Sequence, residues 1–152
     1  MTVRPARESD VEMMSQIISG YASEGLMLPR SRAGLVAALE HYVVADVEGL
    51  VVGCGGLQPY SSSSAEVYAL ATALEISPRG TGTAILRSLI EKANSLNLSR
   101  VFALTLAPGF FAKMGFRQVG HEELPEKVWK DCVTCPKFGN CNEIAMVLDL
   151  AS

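Results

Sequence analysis

The stretch Pro78-Arg79-Gly80-Thr81-Gly82-Thr83-Ala84 lies between a β-rich run and a segment with helical periodicity. Glycines in a strand-to-helix turn allow the backbone to fold tightly and to approach a ligand closely. The first amides of a helix have no intrachain partners and lie at its positive end, so they favour a phosphate. The sequence therefore predicts a phosphate-binding turn, formed by Arg79, Gly80, Thr81, Gly82, Thr83 and Ala84.

Two well-known phosphate motifs do not fit this turn. A P-loop ends in Gly-Lys followed by Ser or Thr, which is absent here. A dinucleotide fingerprint needs a third small residue where Ile85 stands and an acidic residue that closes the next strand, and neither is found. On this turn alone, an ordinary glycine-bearing helix start remains an open interpretation.

Composition narrows the class of protein. The 152 residues fit one domain, spanning 1–152, and 49% of them are hydrophobic against 19% charged. A net charge of −3 without a basic patch gives no support to nucleic-acid binding. Apolar runs such as Gly49–Leu57 fall short of the roughly 20 residues that span a bilayer. No signal peptide is visible at the N-terminus, so we expect a cytoplasmic protein without membrane contact.

The hydrophobic periodicity predicts an α+β fold with a mixed sheet rather than a regular βαβ alternation. Ser9-Asp10-Val11-Glu12 fits a capping box that opens a helix ending near Gly20. A second helix is expected from about Ser31. The remaining helices are expected at Thr83–Asn94 and Gly109–Met114, and the strands at Val3–Ala6, His41–Val47, Leu50–Leu57, Ala65–Ile76, Arg100–Leu104, Phe116–His121 and Ile144–Leu150.

Two landmarks make the sequence resemble the GNAT acetyltransferases. Arg79, Gly82 and Ala84 match the Arg/Gln-x-x-Gly-x-Gly/Ala motif of that family, and Ala112–Phe116 matches its short helix followed by Gly-Phe. The resemblance implies a mixed, mostly antiparallel central sheet flanked by helices on both faces. It also implies that acetyl-CoA is the cosubstrate and that the amides of this turn hold its pyrophosphate.

A closer resemblance is to the amino-acid N-acetyltransferases that make N-acetylglutamate for arginine biosynthesis. The matching pieces cover nearly the whole chain and are Leu28–Ser31, Val52–Leu57, Ala65–Val67, Val101–Thr105, Phe110-Phe111 and Glu123–Pro125. The implied reaction moves an acetyl group from acetyl-CoA to the α-amine of L-glutamate. The alternatives are a GNAT enzyme for another small amine or a peptide N-terminus, a non-catalytic acyl-CoA sensor, or a zinc-stabilised interaction module.

The resemblance also implies site residues. Amine acetylation needs a general base, and Glu66 is the first candidate. Glu75 is the second, because the interval from Glu66 to Pro78 is about two residues longer than usual and the alignment is insecure there. Backbone amides around Leu70, Ala71 and Thr72 would bind the cofactor and stabilise the oxyanion.

Three further positions concern the substrates. Arg30 is the candidate that grips the substrate carboxylate, since a guanidinium binds carboxylate as a bidentate fork. Phe111, a cofactor-binding candidate, stands where many GNAT enzymes have the tyrosine that protonates the leaving thiolate, so that proton must come from water or another residue. Leu106 replaces a basic residue that helps to hold the substrate in parts of the synthase family, a departure that bears on the glutamate assignment.

Four cysteines need separate explanations. Cys54 lies in an apolar run and is expected in the core. Cys132, Cys135 and Cys141 form a C-x2-C-x5-C pattern, which fits a zinc ligand set, a redox-sensitive group or a loop of reduced thiols. No metal site is assigned, His41 and His121 are expected to be non-catalytic, and a homodimer is compatible with the composition.

Overall fold

The structure is a computed structural model, and it describes residues 1–73, 75–120, 123–124 and 143–150. Within these described ranges there are four α-helices and seven strands, with 3-10 turns at Glu8–Asp10 and Leu39–His41. In chain order these elements are β1 Thr2–Pro5, α1 Val11–Ser23, α2 Arg32–Ala37, β2 Tyr42–Val47, β3 Leu50–Pro59, β4 Ser64–Thr72, α3 Thr81–Ser95, β5 Arg100–Thr105, α4 Pro108–Lys113, β6 Arg117–Val119 and β7 Ile144–Asp149.

The seven strands form one mixed sheet in the order β1-β2-β3-β4-β5-β7-β6. The pairs β1 with β2, β2 with β3, β5 with β7 and β6 with β7 are antiparallel. The pair of β4 and β5 is parallel and runs from Ser64 opposite Arg100 to Glu66 opposite Phe102. The prediction of an α+β fold with a mostly antiparallel sheet is therefore confirmed, and the predicted order of elements matches the observed one.

The chain divides into two compact units, and β4 contributes to both. Unit 1 contains Met1–Gln58 and Val67–Ala93, and unit 2 contains Pro59–Glu66 and Asn94–Ser152. The core of unit 1 is built from α1, α2 and the inner faces of its strands, with buried Met14, Ile18 and Leu35 among its members. Unit 2 has its own core around Phe102, Leu124 and Val147.

The start of α1 differs from the predicted capping box. Asp10, not Ser9, organises the turn: its carboxylate accepts a hydrogen bond from the Arg7 amide at 2.7 Å. The same carboxylate accepts two bonds from Arg4, at 2.8 and 3.0 Å, and Arg4 also pairs with Asp46 at 3.0 Å. The prediction of a Ser9 cap was wrong because local spacing does not reveal a partner on another strand.

Several predicted boundaries also shift, and α1 ends at Ser23 rather than near Gly20. The extended run expected to reach Ile76 ends at Thr72, because the amides of Ile76 and Ser77 bend back to the carbonyl of Ala73. The helix expected from Thr83 begins at Thr81. The hairpin between β2 and β3 is confirmed. Its two turn residues, Glu48 and Gly49, both have positive φ, which matches the twist of the flanking strands.

No helix within the described residues is both long enough and apolar enough to cross a membrane.

Candidate active site

The predicted phosphate turn adopts the geometry that its glycine allows. Gly80 has φ +88°, in the left-handed region, and α3 begins at the next residue. Thr81 fixes the turn, because its hydroxyl donates to the carbonyl of Pro78 at 2.6 Å and its amide donates to the same oxygen at 3.3 Å. Its exposed fraction is 2%, so this threonine is part of the core of unit 1.

The first amides of α3 are available to a ligand. Helical bonding begins where the Ala84 amide donates to the carbonyl of Gly80 at 3.0 Å. The amides of Gly82 and Thr83 meet no acceptor within the described ranges, as expected of a helix start. Arg79 is exposed beside them. These residues fit a phosphate group, because two amides, the helix dipole and a cation converge there.

A glycine run in β3 allows α3 to approach the sheet, a role that the sequence alone did not indicate. A Cβ at Gly53 would lie 2.9 Å from Ile85 Cδ1 and 3.1 Å from Thr81 Cγ2. A Cβ at Gly55 would lie 2.8 Å from Ile85 Cγ2. The contacts at 2.9 and 2.8 Å are too short for real side chains, so these glycines set the position of the predicted phosphate turn against the strand.

Arg30 lies half-buried just before α2, whose N-cap is Ser31. Its guanidinium carbon is 4.5 Å from the ring centroid of Tyr68, which is a cation–π distance. Tyr68 packs in turn on Tyr42, with 5.3 Å between the ring centroids. The sequence predicted the arginine but missed both tyrosines, because they belong to β4 and β2 and meet Arg30 only in the fold.

The charge of Arg30 has no carboxylate partner among the described residues. Arg32, two positions later, forms a bidentate pair with Glu12 at 2.6 and 2.9 Å. The charge of Arg30 is felt by the buried thiol of Cys54. Burial raises the pKa of Cys54 to about 12, and the positive charge of Arg30 opposes that rise. A half-buried and unneutralised guanidinium of this kind is suited to bind an anion.

Glu66 is a buried carboxylate of unit 2, with an exposed fraction of 5%. The hydroxyl of Tyr60 donates to its Oε1 at 3.3 Å. Glu75, the second candidate base, lies beyond the end of β4 in a turn and is exposed. Burial and a defined hydrogen-bond donor distinguish Glu66 from a solvated strand carboxylate, and both features suit a group that exchanges a proton.

The remaining predicted positions in unit 1 lie at the end of β4. The amide of Thr72 donates to the hydroxyl of Tyr21 at 3.3 Å, so this amide already has an acceptor. Leu70 and Ala71 precede it in the strand. An oxyanion role for the Thr72 amide would therefore require its bond to Tyr21 to break.

Phe111 lies in an aromatic cluster of unit 2. It meets Phe110 edge-on, with ring centroids 5.3 Å apart, and Phe116 at 5.1 Å. Leu106, by contrast, is exposed just after β5.

The cysteine predictions divide between described and undescribed residues. Cys54 is fully buried, which confirms its place in the core. Cys132, Cys135, Cys141 and His121 lie outside the described residues. Within the described part of the chain, no group of three or more potential ligands could hold a metal ion.

Comparison with known proteins decides the family. The model of the acetyltransferase (GNAT) domain matches residues 38–118, a range that includes the phosphate turn and Glu66. The chain belongs to the GNAT acetyltransferase family. The resemblance inferred from Arg79, Gly82 and Ala84 is thereby confirmed.

Three individual proteins within the family are similar to this GNAT protein. An uncharacterized N-acetyltransferase of Chlorobaculum tepidum is 41% identical over 152 residues, which cover 97% of this chain and 96% of the relative. An amino-acid acetyltransferase of Mycobacterium tuberculosis is 33% identical, covering 98% of this chain and 84% of that protein. The N-acetylglutamate synthase of Neisseria gonorrhoeae, solved with coenzyme A and N-acetyl-glutamate, superimposes with a TM-score of 0.90 at 27% identity. That superposition covers 99% of this chain and 35% of the synthase.

This GNAT protein is accordingly an acetyl-CoA-dependent N-acetyltransferase that acts on an amine. Acetyl-CoA is the cosubstrate.

Proposed function

We propose that the amine acceptor is the α-amine of L-glutamate and that the product, N-acetylglutamate, enters arginine biosynthesis. The observation that carries the proposal is the half-buried guanidinium of Arg30, which has no carboxylate partner among the described residues while Arg32 is fully paired. An α-amino acid brings the carboxylate that such a cation selects. The similarity of this chain to the amino-acid acetyltransferase and to the N-acetylglutamate synthase named above supports the proposal.

Each protein group has one task in the proposed reaction. Arg30 binds the carboxylate of the acceptor and so fixes the position of its nitrogen. Glu66 accepts a proton from the ammonium, directly or through water, which leaves the lone pair that attacks the thioester carbon. A backbone amide of β4, at Leu70 or Ala71, donates to the developing oxyanion. When the tetrahedral intermediate collapses and the C–S bond breaks, a water molecule passes the excess proton of the nitrogen to the departing thiolate, because Phe111 has no proton to donate.

A second candidate acceptor is a small amine substrate with a single carboxylate. The observation that favours it is Leu106, exposed after β5, which offers no cation to a second carboxylate. This candidate retains the same task for Arg30.

A thiol-release assay with acetyl-CoA and each of the twenty amino acids tests the proposal. We expect the highest kcat/KM with glutamate and a fall of about a hundredfold in Arg30→Ala, about 2.7 kcal/mol, as expected when a charge-assisted carboxylate contact is lost. Arg32→Ala is the matched control and should leave kcat/KM unchanged. Turnover only with a cationic amine would contradict the proposal, and acetyl-CoA binding without any turnover would favour the sensor alternative.

A further inference from the structure

We propose that Tyr68 is a positioning residue, whose ring fixes the guanidinium of Arg30 in the orientation that receives the acceptor carboxylate. Tyr42 supports this ring and Gly56 gives it room. The inference rests on the proposed function, because it concerns how the same arginine recognises its anion.

The stack limits how Arg30 can be oriented. A free arginine side chain has several rotatable bonds, and ordering it on binding costs about 0.5–1.5 kcal/mol. With its Cζ 4.5 Å from the centroid of Tyr68, the guanidinium has one side covered by the ring. A guanidinium with a covered face still presents its N–H edges, which form the fork that binds a carboxylate. The tyrosine therefore preorganises the arginine before the acceptor arrives.

Tyr68 is itself held in place from a second side. Tyr42 is 2% exposed, and the planes of the two rings are tilted by 55°. Burial raises the pKa of Tyr42, so this phenol stays neutral over the working pH range and provides a fixed surface. The tyrosine beneath Arg30 is thus supported by the core of unit 1, unlike a surface ring that could turn away.

Gly56 determines whether the ring fits. A Cβ at this position would lie 2.6 Å from Cε1 and 2.8 Å from Cζ of Tyr68, and 3.2 Å from Cε1 of Tyr42. The three atoms nearest to this Cβ belong to the two tyrosines, so a single added methyl group at Gly56 would displace the ring of Tyr68. This geometry offers a way to disturb the arginine indirectly.

The experiment compares three variants by their effect on the two KM values. Tyr68→Leu and Gly56→Ala should each raise the KM for glutamate about tenfold, about 1.4 kcal/mol, in line with loss of a partly desolvated cation–π contact. Tyr68→Phe keeps the ring and should stay within about threefold of wild type. In all three, the KM for acetyl-CoA should be unchanged, which shows that the fold and the phosphate turn remain intact.

A second measurement needs no substrate. The near-UV circular dichroism of the tyrosines should change in Arg30→Ala and stay unchanged in Arg32→Ala, since only Arg30 lies on an aromatic ring. Gly20→Ala is the matched control for Gly56→Ala, because a Cβ at Gly20 has nothing within 4 Å. It should leave both KM values unchanged. If Tyr68→Leu unfolds the protein, Gly56→Ala and the spectrum of Arg30→Ala still decide the matter.

The outcomes separate this inference from the proposed function. If Arg30→Ala raises the KM for glutamate while Tyr68→Leu and Gly56→Ala do not, the positioning role is wrong and the acceptor assignment stands. The same conclusion follows if the tyrosine spectrum of Arg30→Ala equals that of wild type. If Arg30→Ala leaves the KM for glutamate unchanged, both the acceptor assignment and the positioning role are wrong.

Discussion

The two parts of unit 1 that are proposed to bind the substrates offer different kinds of groups. The predicted phosphate turn at Arg79–Ala84 offers backbone groups: a left-handed glycine, a helix start and two unengaged amides. The surface around Arg30 offers side chains from three separate segments, with Tyr68 beneath the guanidinium and Tyr42 packed against Tyr68. A backbone site depends on a few consecutive residues, whereas a side-chain site depends on tertiary packing.

The strand β3 serves both parts through glycines three residues apart. Gly53 makes room for Thr81 and Ile85 at the start of α3, and Gly56 makes room for Tyr68. Replacing glycine by alanine should therefore raise the KM for acetyl-CoA at Gly53 and the KM for glutamate at Gly56. The two substitutions are therefore distinguished by which of the two KM values rises.

The largest effect should come from a residue outside both parts. Glu66→Gln keeps the shape of the side chain and a contact for Tyr60 but removes the base, so kcat should fall about 10²–10⁴-fold while both KM values change little. Glu75→Gln, at the exposed second candidate, is the control and should keep full activity. Steady-state kinetics with both substrates would measure this. A normal kcat in Glu66→Gln would remove Glu66 from the mechanism.

The next effect tests the backbone site alone. Gly80→Ala places a side chain at φ +88°, which costs about 1–2 kcal/mol and should raise the KM for acetyl-CoA about tenfold as the turn relaxes. Gly49→Ala is a close match, since its φ is +89° and neither glycine has an atom within 4 Å of an added Cβ. Thermal melting should show similar losses of stability in the two variants. An equal rise in the KM for acetyl-CoA in both would mean that the turn has no special role.

A smaller effect is expected from Gly53→Ala, which can be compared directly with Gly56→Ala because both substitutions lie in β3. An added Cβ would press on Ile85 Cδ1 at 2.9 Å and on the carbonyl of Ala71 at 3.2 Å. Overpacking of this kind costs about 1–3 kcal/mol, so we expect lower thermal stability and a rise of about threefold in the KM for acetyl-CoA. The KM for glutamate should stay constant. A rise in the KM for glutamate alone would reverse the assignment of the two glycines.

The smallest effect on catalysis should come from Asp10, which serves neither part. The guanidinium of Arg4 holds the pKa of the Asp10 carboxyl below its usual range. Because the folded pKa is lowered, this pairing stabilises the fold above the unfolded pKa of about 3.9 and is lost as the pH falls through the folded value. Wild type should therefore unfold at a higher temperature than Asp10→Asn at pH 6, by roughly 2–4 °C for each kcal/mol lost. The difference should shrink below about pH 4, and a difference independent of pH would contradict the ionic origin.

The parts of the molecule that the sequence predicted are those encoded by neighbouring residues. The turn at Gly80, the helix behind it and the order of the elements all follow from local spacing. Tyr68, Tyr42 and Gly56 could not be predicted, because an alternating strand pattern says which residues are buried and not which aromatic ring meets a given arginine. The Ser9 cap failed for the same reason, since Arg4 draws Asp10 into a pairing that involves β2.

The burial of Cys54 turns this thiol into a reporter of motion. A thiol with a pKa near 12 in a fully buried position reacts with an alkylating reagent only when the surrounding core opens. The labelling rate of the peptide that carries Cys54, measured by mass spectrometry, therefore reports how often the core of unit 1 opens. Saturating acetyl-CoA should slow that labelling, because a ligand that binds the folded state makes each opening rarer.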